Sequence, residues 1–174
     1  MTTDRVQPTC EELAGVLEQM AGLQDALHGI LRDKLEAMRR ADVDGMLAAS
    51  HREGRVCRDV AALDERRREL ADRLSAALPG NPPRPGQAAS LRQLAARLEP
   101  GAGRRLLEVG RRVGERMLAV AEANRVVELV SQEMLRFFRQ MFEAMVRETG
   151  PAGGYAAGGQ PERPAGAMVL DAVG

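Results

Sequence analysis

Apolar residues recur along most of this chain at intervals of three and four, the period of a helix with one buried face. The clearest run is Leu13, Val16, Met20, Leu23, Leu27, Ile30, Leu31, Leu35 and Met38, an apolar stripe about seven turns long. Thr9 followed by Glu12 has capping-box spacing, so this first helix is expected to start there. Asp42, Asp44 and Gly45 then interrupt the pattern without a proline, and Asp42 suits the N-cap of a new helix. A hairpin follows, its second helix running from about Val43 to Leu78. Cys57, Val60, Leu63, Leu70, Leu74 and Leu78 form its expected buried stripe. The first half of this helix is poor in large apolar residues and should pack loosely.

Three clusters of helix breakers divide the chain: Pro79 to Gly86, Pro100 to Gly103, and the residues from Gly150 onward. Between the first two, Ser90 to Leu98 can form two turns carrying Leu91, Leu94 and Leu98. The longest helix is expected from about Arg104 to Glu148, roughly 65 Å at 1.5 Å per residue. Its seam reads Leu106, Val113, Met117, Val120, Asn124, Val127, Ser131, Met134, Phe138, Met141 and Met145, close to a coiled-coil heptad. Asn124 is expected inside that seam, where a buried amide costs stability but fixes register. The predicted fold is therefore all-α: an elongated antiparallel helical hairpin plus one long third helix, a coiled-coil-like bundle. Residues 1–149 form the helical domain, with a linker near 79–89. Residues 150–174, rich in Gly, Ala and Pro, cannot bury enough surface to offset their ordering entropy and are expected to be a flexible, disordered tail.

Composition narrows the function. Formal net charge is zero and acidic and basic residues interleave, so the broad positive field that nucleic-acid binding needs is missing. No stretch reaches the roughly 20 apolar residues of a membrane span, and the N-terminus has neither a basic nor an apolar targeting segment. A cytoplasmic protein without membrane insertion is expected. Cys10 and Cys57 lie far apart without metal-ligand spacing, so free thiols are expected, with Cys57 filling a core position.

Candidate chemistry is thin. His28 and His51 repeat no metal or triad spacing, so no catalytic, metal or cofactor residues are assigned and no enzyme is expected. His51, Arg52, Glu53 and Gly54 resemble the short phosphoacceptor motif of histidine phosphotransfer domains but lack its lysine. Glu11 with Glu12 and Asp42 with Asp44 fall at expected helix starts, where capping and the helix dipole account for them. The glycines after 150 follow no strand and precede no Lys-Ser/Thr, so they make no phosphate loop.

The end of the long helix carries more information. Met134, Phe138, Met141 and Met145 continue the seam, Leu135, Phe142 and Val146 lie on a neighbouring face, and Phe137 on another. All three phenylalanines of the chain are here. A helix apolar beyond one stripe must bury a second surface, within its own fold or against a partner. Methionine-rich surfaces suit a partner because thioether side chains repack readily. Both readings stand at this point.

The order of these features resembles the FlgN family of flagellar export chaperones. That family opens with a Leu-rich helix, reaches a Glu-x-x-Ala-Leu segment and meets an Asp four residues later. Glu36, Ala37, Met38 and Asp42 approximate this, with Met for Leu and Glu36 closer to Ala37 than the pattern has it. Asn124, Val126 and Val127 match its last helix, and Tyr155 with Gly158 or Gly159 its closing loop. The proline linker and the Ala-rich tail are not family hallmarks. The resemblance implies a non-enzymatic type III secretion chaperone that binds the helical C-terminal region of the hook-associated proteins FlgK and FlgL and delivers them to the flagellar export gate. It places client contact at Met134, Phe137, Phe138, Met141, Phe142, Met145 and Val146, and gate contact at Tyr155. Homodimerisation is compatible with such a helix. The competing expectations are a structural coiled-coil or adaptor protein, which would self-associate through the long helix, and a phosphotransfer protein acting through His51.

Overall fold

The computed structural model describes residues 3–79 and 89–149, with side chains placed for 6–79 and 89–147. Its elements are α1 (Thr3–Arg39), α2 (Val43–Ala77), α3 (Leu91–Ala95) and α4 (Pro100–Thr149). The all-α expectation holds: two long helices pack antiparallel, followed by a short helix and a long fourth one. The chain forms two compact units, residues 1–131 and residues 132–174, and the second contains the C-terminal part of α4. The segments 80–88 and 150–174, on which the linker and tail expectations fall, lie largely or wholly outside the described residues.

The turn between α1 and α2 follows from local hydrogen bonding. Ala41 sits in the left-handed region at φ 52°. The Asp42 amide donates to the Ala37 carbonyl at 2.9 Å and the Ala41 amide to that of Met38 at 3.1 Å, a Schellman pair that closes α1. Glycine usually takes the left-handed position, and alanine there costs about 1 kcal/mol or more. Asp42 then caps α2, its Oδ1 accepting from the Gly45 amide at 2.9 Å. One residue thus ends one helix and starts the next, as its sequence position suggested.

The core of the first unit is aliphatic and uses one face of each helix. Leu13, Leu17 and Met20 of α1, Leu70, Leu74 and Leu78 at the end of α2, Leu94 of α3, and Leu106, Val109 and Val113 of α4 make one continuous cluster. The loose packing expected of the first half of α2 is observed: between Ala49 and Leu70 no residue of α2 is buried. Ion pairs serve there instead, Lys34 to Glu53 at 2.8 Å and Arg52 to Asp33 at 3.0 Å. Partly exposed pairs of this kind contribute at most about 1 kcal/mol each. Arg116 to Asp25 at 2.7 Å, with Arg105 and Arg112 both 3.8 Å from Glu18, flanks the contact between α4 and α1.

The short α3 has the capping box its sequence allows, Ser90 and Gln93 satisfying each other's backbone amides. Just beyond it, Arg97 donates to three carbonyls at the end of α2: Ser75 at 3.2 Å, Leu78 at 2.6 Å and Pro79 at 3.0 Å. A guanidinium at a helix C-terminus satisfies orphan carbonyls and opposes their partial negative charge. Nothing in the hydrophobic pattern pointed to this clamp.

Several expectations are corrected. The first helix does not start at Thr9 but at Thr3, and passes through Pro8. Pro8 lies beyond the first turn of α1, so its missing amide gives up one i→i−4 bond, a loss confined to the end of the helix. The long helix starts at Pro100 rather than Arg104, because proline at the first helical position gives up an amide that would have no partner. Cys57 is exposed rather than in the core, while Cys10 is the buried thiol. Asn124 is also exposed, as is Met117 in the same predicted seam. A heptad pattern buries a residue only where another helix faces it. Ser131, half-buried, resolves its own polarity by donating to the Val127 carbonyl at 2.7 Å.

Candidate functional site: the apolar face at the end of α4

The second unit contributes one described element, the last turns of α4. Leu135, Phe137, Phe138, Met141, Phe142, Met145 and Val146 are all exposed there, and Met134 is half-buried. Phe142 keeps 65% and Phe137 62% of its surface open to solvent, values at which neither ring is core. The question left open by the sequence, second core face or free surface, is answered for these side chains by their exposure. Tyr155 lies outside the described residues.

Helical geometry collects these side chains. At about 100° per residue the order around the axis is Phe137, Met141, Met134, Met145, Phe138, Phe142, Leu135 and Val146, which together span about half of the circumference. The other half carries Gln132, Glu133, Arg136, Arg139, Gln140, Glu143 and Arg147. Ion pairs on that polar half, Arg136 to Glu133 at 3.1 Å and Arg147 to Glu143 at 3.8 Å, link residues three or four apart along the helix. The Phe137 and Phe138 rings meet edge to face with centroids 6.0 Å apart. Aromatic and thioether groups dominate the face, a composition that gives large contact area and adaptable packing.

Other candidates offer less. His51 lines a shallow hollow of about 730 Å³ together with Ala48, Ser50, Arg52, Gly54, Arg55 and Arg58, and no carboxylate lines it to orient the imidazole. The Cys10 thiol is pushed above its ordinary pKa, chiefly by burial and further by Glu11, which favours the unreactive protonated form. Among the described residues no cluster of His, Cys, Asp and Glu is placed to hold a metal, and no helix is long and apolar enough to cross a membrane.

Residues 1–163 match the FlgN family, described as FlgN protein, which is most of the chain. The chain belongs to the FlgN family. FlgN is the flagellar export chaperone for the hook-associated proteins FlgK and FlgL, is not an enzyme, and is cytoplasmic. Membership implies binding of hook-associated proteins. No curated protein and no solved structure matches the chain. For a FlgN chain, Asp42 at the hairpin turn has a plain structural role, since it closes one helix and caps the next. Asn124, the second residue that carried the resemblance, stands on an exposed face of α4.

Sequence reasoning placed Leu135 on a face beside the seam but left it out of the client contact. The signal was present in the helical order, because Leu135 falls between Phe142 and Val146 around the axis.

Proposed function

We propose that this FlgN chain holds the helical C-terminal region of its hook-associated client on the apolar face of α4 from Met134 to Val146. The observation that carries this reading is the exposure of seven large apolar side chains on that face. A continuous apolar surface is costly in water and is normally covered in use. An amphipathic helix laid along another helix is the simplest cover, with its apolar residues three and four apart meeting the same spacing on α4. On this reading residues 1–149 form the client-binding helical body, and residues 150–174 carry Tyr155 to the export gate. The work is done in the cytoplasm, before export.

The test is Phe142→Glu in the full chain, measured by a melting curve and by titration with a helical C-terminal fragment of a hook-associated protein. Free stability should stay within about 0.5 kcal/mol, since Phe142 is exposed. Affinity should fall at least about thirtyfold, the loss of a buried aromatic anchor. Unchanged binding would overturn the reading. If the face pairs two copies instead, sedimentation of the free protein will show a homodimer that Phe142→Glu separates without affecting client affinity.

A further inference from the structure

The segment 132–147 carries three arginines with unequal roles. Arg136 and Arg147 are engaged by Glu133 and Glu143 on the polar half of the helix. Arg139 is exposed and has no carboxylate partner among the described residues. Glu143, four residues on and within reach by spacing, is turned to Arg147. Around the helix Arg139 falls immediately beyond Val146, three residues before Phe142 and four after Leu135, so it stands at the rim of the apolar face. The opposite rim, past Phe137, holds Ala144, Glu133 and Gln140, with no cation. Each edge has one glutamate already engaged by an arginine, Glu143 by Arg147 and Glu133 by Arg136, and only the edge beyond Val146 adds a guanidinium of its own.

We propose that Arg139 reads a carboxylate on one edge of the client helix's apolar stripe and thereby sets the direction in which that helix lies. The inference rests on the reading of the apolar face as the client site. An apolar face alone accepts a helix in either direction, because methionine and phenylalanine side chains repack around both. A helix with Asp or Glu along one edge brings that edge to Arg139 in one direction and to Glu133 and Gln140 in the other. Rim charges of this kind act on encounter rate and specificity more than on total affinity. The ligand is thus an amphipathic helix, acidic along one border of its apolar stripe.

The experiment titrates the full chain with a helical C-terminal fragment of a hook-associated protein at low and high salt. It compares wild type, Arg139→Gln, Arg139→Glu and Phe142→Glu. Arg139→Glu should weaken binding about tenfold at low salt and about threefold or less at high salt, with Arg139→Gln between it and wild type. Reversing single acidic residues of the fragment to Arg should identify one position that restores the affinity of Arg139→Glu while weakening that of wild type. Binding by Arg139→Glu within twofold of wild type at low salt, or no restoring position, would overturn the proposal. Phe142→Glu separates the two claims. If it abolishes binding while Arg139→Glu does not weaken it, the rim proposal falls and the client face stands; if it leaves binding intact, both fall.

Discussion

The two ends of α4 show what decides whether an apolar side chain is buried. Near its start, Leu106 and Val109 are almost wholly enclosed, at 0% and 1% exposure, and they join the cluster made by α1, α2 and α3. Near its end, larger and more apolar residues, three phenylalanines among them, lie open. If hydrophobicity alone set burial, the second segment would be core and the first would be surface. What differs, among the described residues, is whether other helices pack against the segment. The first segment is part of the core, and the second is an open apolar face.

This contrast can be broken by matched substitutions. Leu106→Ala should cost about 3 kcal/mol, the loss of a buried leucine plus the cavity it leaves, while Met141→Ala should change free stability by less than about 0.5 kcal/mol. Urea unfolding of both variants measures the difference, and equal losses would mean that the end of the helix is core after all. A second pair sharpens the contrast within the first segment. A Cβ built on Gly103 would lie 2.6 Å from the carbonyl oxygen of Ala95, so Gly103→Ala forces backbone apart and should cost about 2 kcal/mol. Gly114 has no neighbour within 4 Å of such an atom, and Gly114→Ala should raise stability by up to about 1 kcal/mol through helix propensity. The smallest effect is expected from Asn124→Leu, within about 0.5 kcal/mol because the side chain is exposed. A melting temperature that moved clearly in either direction would show that Asn124 makes a specific contact.

Much of the architecture was legible in the sequence because helical periodicity and capping are local. The stripe through Leu13 and Leu31, the Asp42 cap and the short helix carrying Leu91 and Leu94 all came from spacing and side-chain chemistry. Helix starts were less legible, since Pro100 reads as a breaker in a linear scan yet opens α4, and the capping spacing at Thr9 falls inside α1 rather than at its start. The burial of Asn124 and Cys57 was misread for another reason. Periodicity says which side of a helix is apolar, but whether another helix faces it is a tertiary fact. The Arg97 clamp escaped for the same reason, its three acceptors standing about twenty residues earlier in the chain. The apolar face of α4 was legible as an excess of apolar positions over one stripe, and its exposure required the structure.

On the proposed function, the last turns of α4 rather than the helical hairpin receive the client. Amide hydrogen exchange of the full chain, with and without a helical C-terminal fragment of a hook-associated protein, tests it directly. Binding is expected to slow exchange across residues 132–147 and to leave α1 and α2 at their free rates. Slowed exchange in the hairpin, with 132–147 unchanged, would contradict it.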